Sequence, residues 1–125
     1  MAEKGNSVIA NYNKSEKEAK KLQEEFDVDI FKADVSKREE VRALINYTIN
    51  KYKKIDCIIN NAGIDQIKMF VDITDKDWES MIQNNLNSVF YMCQETIPYM
   101  INKKEGSIIN ISSIWGQIGA SCESH

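Results

Sequence analysis

The chain has 125 residues, enough for one domain with a single core, and its 42% hydrophobic and 28% charged residues are ordinary for a soluble globular protein. A formal net charge of -3 leaves no electrostatic footprint for nucleic acid or an anionic membrane surface. No apolar run approaches the ~18 residues of a membrane span, and nothing reads as a signal peptide, so no membrane or nucleic-acid partner is expected.

Residues 7–12 form a short apolar run after Gly5 and read as a strand. Ser15 with Glu18 three residues on has the form of a capping box, and Ala19, Leu22 and Phe26 keep helical spacing behind it. Residues 28–32 give a second strand, ending at Ala33-Asp34-Val35. Ser36 with Glu39 repeats the capping-box form, and Val41, Leu44, Ile45, Thr48 and Tyr52 stripe the next helix. Lys51, Lys53 and Lys54, like Lys103 and Lys104, fall where helices should end and complement the helix dipole there.

Asp56-Cys57-Ile58-Ile59-Asn60 is too short for a helix and reads as a buried strand. Its carboxyl end opens into the polar loop Asn61-Ala62-Gly63, and ligands of open α/β sheets bind beyond such strand ends. The two asparagines supply amide donors and acceptors, and the small residues admit close approach of a ligand to the backbone.

After a loop over residues 63–73, Thr74 with Asp75 and Asp77 starts a long helix striped by Trp78, Met81, Ile82, Leu86, Val89, Phe90, Cys93 and Ile97. Pro98 is expected to kink or loosen its last turn, and Gly106 to stop it. Residues 107–112 form the next strand, followed by Ser113. Strands alternating with helices across short connections call for a doubly wound parallel α/β sheet, read here as one partial Rossmann-like domain over residues 1–125. Cys57, Cys93 and Cys122 carry no C-x-x-C pairing and suit a reducing cytoplasm; Cys57 and Cys93 read as buried small hydrophobes. His125 is the sole histidine and has no partners with which to build a metal site.

Asn60-Asn61-Ala62-Gly63 after a strand resembles the fourth-strand signature of the short-chain dehydrogenases/reductases. Asp34-Val35 resembles the family's adenine-contacting pair, although an aspartate there also suits a plain helix-entry turn. Trp78 with Asn84-Asn85-Leu86 resembles the family's W-(six residues)-N-L pattern. It puts Asn85 in the place of the catalytic asparagine that holds a relay water; on its own, a mid-helix asparagine is a solvated or locally bonded side chain. Asn110-Ile111-Ser112-Ser113 resembles the fifth-strand motif and puts Ser113 in the catalytic serine's place, where a hydroxyl donates to a substrate carbonyl. Ser-Ser after a strand also fits a simple turn.

What the resemblance implies is a nicotinamide-dependent reductase that turns a ketone, small or carrier-bound, into an alcohol, with homo-oligomers common in the family. Cofactor contacts are expected from Asn60, Asn61, Ala62, Gly63, Asp34 and Val35, and from Tyr12 and Lys14. No acidic residue stands at Tyr12, where NAD-preferring members place one, so NADP(H) is expected over NAD(H). The strand ending Asn11-Tyr12 is similar to that of the 3-oxoacyl-acyl-carrier-protein reductases. The stretch Ser112 to Glu123 is also similar to a branch acting on a 5-aminopentanone group of elongation factor P.

The family's first strand and T-G-x-x-x-G-I-G turn are not among these residues, and Met1-Ala2-Glu3-Lys4-Gly5 resembles the end of the helix that follows that turn. The family's Y-x-x-x-K is expected shortly after Glu123, and no tyrosine follows Tyr99. A chain cut at both ends and inactive by itself is therefore expected. Its two half-sheets should lack their shared strand, with unpaired edges and low stability. A non-catalytic remnant pairing with a full-length relative, or an unrelated flavodoxin-like module, are the alternatives.

Overall fold

The structure, a computed structural model, describes residues 2–116, 118, 121 and 122. Met1, Gln117, Gly119, Ala120, Glu123, Ser124 and His125, several of which carry readings given above, lie outside the described residues. The chain divides into two compact units, Met1–Lys54 and Ile55–His125.

In the first unit, β1 (Ile9–Tyr12), α1 (Glu16–Phe26), β2 (Asp29–Lys32) and α2 (Arg38–Tyr52) follow in the predicted order. β1 and β2 pair in parallel, with Ile9 opposite Asp29 and Tyr12 opposite Lys32. Ala19, Val28, Ala33, Val41, Leu44 and Ile45 are buried, and Val41 is fully so. Neither predicted capping box forms. Ser15 is the N-cap of α1 without a side-chain cap bond, and α2 starts after Lys37 rather than Ser36. The Ser36 hydroxyl is captured by Asp34 Oδ1 at 2.6 Å, and a local side-chain bond of this kind competes directly with helix entry. At the other end of α2, Lys51 and the Tyr52 hydroxyl donate to Asp29 at 2.6 and 2.5 Å. These bonds, Lys51 first, lower the Asp29 pKa and tie the helix end to the start of β2.

In the second unit, β3 (Cys57–Asn60) and β4 (Ser107–Asn110) pair in parallel, Cys57 opposite Ser107 and Asn60 opposite Asn110. Between them run a 3-10 turn (Phe70–Asp72), α3 (Asp75–Ile82), a π-helical segment (Gln83–Asn87) and α4 (Ser88–Lys103), which continues through Pro98. The sequence pattern predicts one uninterrupted helix here, and the π segment is a departure from it. Its side chains explain the departure, because they bond to backbone carbonyls and to one another. Asn84 Nδ2 donates to the Ser80 carbonyl at 2.8 Å, Asn87 Nδ2 to Gln83 Oε1 at 2.6 Å, and the Ser88 hydroxyl to the Asn84 carbonyl at 2.5 Å.

Ile55, Ile58, Met81 and Met100 are buried in this unit, whereas Trp78, Leu86, Phe90 and Ile97 of the predicted stripe are exposed. Cys57 and Cys93, read above as buried, are half-buried. The two sheets are separate, β1-β2 and β3-β4, so among the described residues β1 and β3 do not pair.

Thr96 is fully buried, and its hydroxyl has no hydrogen-bond partner among the described residues. An unpaired buried hydroxyl costs about 1–3 kcal/mol of desolvation, and valine has the same shape without it. Thr96→Val is therefore expected to raise stability by about 1 kcal/mol, read as a higher urea midpoint at unchanged slope. A lower midpoint would show that the hydroxyl is paired.

Candidate active site

The parallel register of β3 and β4 lets two polar segments leave adjacent strand ends side by side. The Ile111 N–H donates to the Asn60 carbonyl at 2.9 Å, which carries the pairing one residue past β4. Asn61, Ala62 and Gly63 continue from one strand, and Ser112 and Ser113 from the other, all exposed. The Asn60 side chain bridges the strands, with Nδ2 donating to Asn110 Oδ1 at 2.8 Å. The Trp115 N–H donates to Ser113 Oγ at 3.3 Å. With its oxygen taking that backbone donor, the hydroxyl proton is left to point elsewhere.

Asn85 lies in the π segment, where its amide meets the backbone of Ile64 on both sides. Ile64 N–H donates to Oδ1 at 2.8 Å, and Nδ2 donates to the Ile64 carbonyl at 2.9 Å and to Met81 Sδ at 3.2 Å. A Cβ added at Gly63 would stand 3.3 Å from Asn85 Oδ1, a tight contact that would crowd this clamp. In this arrangement the side chain orders the loop beyond β3.

Sequence reasoning did not find the second anchor of that loop. Asp77 completes a capping box with Thr74, accepting from the Thr74 N–H at 2.9 Å and hydroxyl at 2.6 Å. It also takes Lys68 Nζ at 2.5 Å and Gln66 Nε2 at 3.1 Å. These donors, Lys68 first, hold its carboxyl far below the usual carboxylate range. The signal available in the sequence was Thr74-x-x-Asp77, a capping-box pattern with aspartate in place of glutamate.

In the first unit, Asp34 follows β2 and forms an Asx turn, its Oδ1 accepting from the Ser36 N–H at 3.1 Å and hydroxyl at 2.6 Å. Those bonds, the Ser36 hydroxyl first, lower its pKa and keep the carboxylate ionised near neutrality. Asn11 Nδ2 donates to the Phe31 and Ala33 carbonyls at 3.2 and 3.0 Å, fixing the chain just before Asp34. Tyr12 and Val35 are half-buried, and Lys14 is exposed. Tyr12, Lys14, Asp34 and Val35 thus belong to one unit, and Asn60, Asn61, Ala62, Gly63, Asn85 and Ser113 to the other.

The Y-x-x-x-K spacing expected only after Glu123 does occur earlier, at Tyr47 to Lys51 and at Tyr99 to Lys103. Neither pair lies beyond β4. Tyr47 packs against Phe31 in a tilted pair with ring centroids 5.0 Å apart, and Lys51 pairs with Asp29; Tyr99 and Lys103 belong to α4.

Parallel strands linked through helices, with polar loops at their carboxyl ends, define a Rossmann-like architecture. The family model described as short chain dehydrogenase matches residues 1–125, and the chain belongs to that family. It is 34% identical over 124 residues to the 3-oxoacyl-[acyl-carrier-protein] reductase FabG of Staphylococcus aureus, covering 95% of this chain and 50% of that protein. The protein of the same name from Thermotoga maritima is 36% identical over 125 residues, again 95% of this chain and 50% of its own length. A short-chain dehydrogenase of known structure from Streptomyces avermitilis superposes with a TM-score of 0.86 at 22% identity, over 96% of this chain and 45% of that one. The chain thus spans about half the length of the curated relatives it matches.

Proposed function

We propose that these residues form part of a nicotinamide-dependent oxidoreductase that reduces a ketone to an alcohol, with a 3-oxoacyl thioester on a carrier protein as the favoured substrate. The observation that carries this reading is the β3–β4 register, which sends Asn61-Ala62-Gly63 and Ser113 out of neighbouring strand ends. When bound, the nicotinamide group supplies the hydride.

The exposed backbone and amide at Asn61, with no Cβ at Gly63 to obstruct approach, suit contact with such a cofactor. Ser113 donates its hydroxyl proton in a hydrogen bond to the ketone oxygen as negative charge builds there, which is the role of an oxyanion-hole donor. Asp34, ionised by its Ser36 bonds, accepts from the adenine amino group, and Lys14 meets a 2′-phosphate, which favours NADP(H) over NAD(H).

The 125 residues alone hold neither a glycine-rich pyrophosphate turn nor a tyrosine placed beyond β4 to give the proton. General acid catalysis is worth about 10²–10⁴ in rate, so this polypeptide by itself is inactive on this reading. The test is a chimera in which these residues replace the matching half of the Thermotoga maritima relative. It should consume NADPH with an acetoacetyl thioester while the 125-residue chain does not, and Ser113→Ala should lower its kcat about 10²–10³-fold. A chimera that melts cooperatively yet binds neither NADPH nor NADH would overturn the proposal, as would full activity of the Ser113→Ala form.

A further inference from the structure

Residues 61–69 have no helix or strand of their own, yet they begin with the segment assigned above to the cofactor. Their conformation is therefore set by whatever side chains reach them. Two do so from the helical segment beyond. Asn85 holds Ile64 by two bonds, and Asp77, two turns earlier, holds Gln66 and Lys68. A third tie comes from the other loop, where the Lys68 N–H donates to the Cys122 carbonyl at 2.8 Å.

A capping box alone needs only the Thr74 donors. Asp77 takes these on Oδ2 and still accepts Lys68 there and Gln66 on Oδ1, so four donors from two segments converge on one carboxylate. Lys68 and Gln66 stand nine and eleven residues upstream, beyond the reach of any local capping motif. The carboxylate joins the start of α3 to the loop that leaves β3, and Lys68 in turn carries the backbone tie to the loop beyond β4.

We propose that Asp77 is a positioning residue: through Gln66 and Lys68 it fixes the loop after β3, and with Asn85 it holds Asn61-Ala62-Gly63 in the conformation that meets the cofactor. The anchoring stands on geometry alone; its consequence for the cofactor rests on the function proposed above. Loss of Asp77 therefore loosens the site from 14 residues away without touching the cofactor itself.

The test is residue-resolved amide hydrogen exchange on the 125-residue chain in three variants. Asp77→Asn, and the double variant Gln66→Leu/Lys68→Met, should each speed exchange at Ile64 and Lys68 by about tenfold or more. Thr74→Ala removes the cap and should act on the Asp77 amide, which donates to the Thr74 hydroxyl at 3.2 Å, while Ile64 and Lys68 keep their protection. The double variant leaves α3 unaltered, so unchanged exchange at Met81 shows that folding survives; it decides the matter if Asp77→Asn fails to fold. Unchanged Ile64 and Lys68 in the double variant, or an equal loss in Thr74→Ala, would overturn the anchoring.

In the chimera, the same double variant should weaken NADPH binding about tenfold at an unchanged melting temperature, a split that a purely structural cap would not produce. Equal affinity would overturn the positioning role. A parent chimera that binds no nicotinamide dinucleotide would instead defeat the functional reading and leave the exchange result standing.

Discussion

Replacing Gly106 with alanine should destabilise the second unit by about 1–3 kcal/mol, the usual cost of forcing extra volume into a packed site. The added Cβ would stand 2.4 Å from Met100 Cγ, 2.5 Å from its Sδ and 2.7 Å from its Cβ. A flexible thioether can swing away from the first two contacts, but the third involves an atom fixed to the helix backbone. Met100 is 8% exposed, so its side chain has little room into which to move. The entropic gain of glycine to alanine, about 0.4–1 kcal/mol, is smaller than the clash. Glu105 N–H donates to the Met100 carbonyl at 3.2 Å, so the turn and the side chain it crowds are coupled. The shift would pass into β4, which begins at Ser107 and sets where Ser113 emerges. Urea unfolding checks the loss, and Met100→Ala in the same chain should recover only the part due to Cγ and Sδ, because it keeps the Cβ contact. An alanine variant at least as stable as the parent would show that the turn relaxes freely.

The strands were legible because their apolar runs are short and bounded by turn residues. Residues 28–32 and 56–60 anticipate β2 and β3 to within a residue at the start. Helix entry is less legible, and at α2 the cause is physical. A serine followed by a glutamate three residues on specifies a capping box only when nothing nearer claims the hydroxyl. Asp34 claims that of Ser36, and Glu40 Oε2 takes the Asp34 N–H at 2.7 Å, so α2 begins later. The π segment was hidden because apolar spacing reports a mean period and not a single inserted residue. Its mark was polar instead: Asn84, Asn85, Asn87 and Ser88 in close succession, each bonded to a neighbouring segment or turn.

For the site, the informative residues were those fixed by strand register. Asn61 and Ser113 follow paired strands, so their emergence from adjacent strand ends is written into β3 and β4. The anchors at Lys68 and Gln66 come from a loop that has no period to read. Motif spacing by itself is not specific, since Tyr47 and Lys51 satisfy Y-x-x-x-K while serving a packing contact and an ion pair in the first unit.

Asn85→Ala in the chimera should weaken NADPH binding about tenfold and lower kcat/KM about 10²-fold. Two bonds to the Ile64 backbone disappear together, and net losses of about 1 kcal/mol each account for the tenfold or more in affinity. The further loss in rate follows from misplacing a reacting geometry by a fraction of the loop's new freedom. Asn85→Asp sharpens the reading. It keeps an acceptor for the Ile64 N–H, but it loses the donor and turns a charge toward the Ile64 carbonyl, so it should rescue little. A role confined to holding a relay water predicts a different pattern, in which kcat falls while NADPH affinity and Ile64 exchange stay as in the parent. The clamp predicts that all three move together, because the side chain that would organise the proton path is the same one that holds the loop beside Gly63.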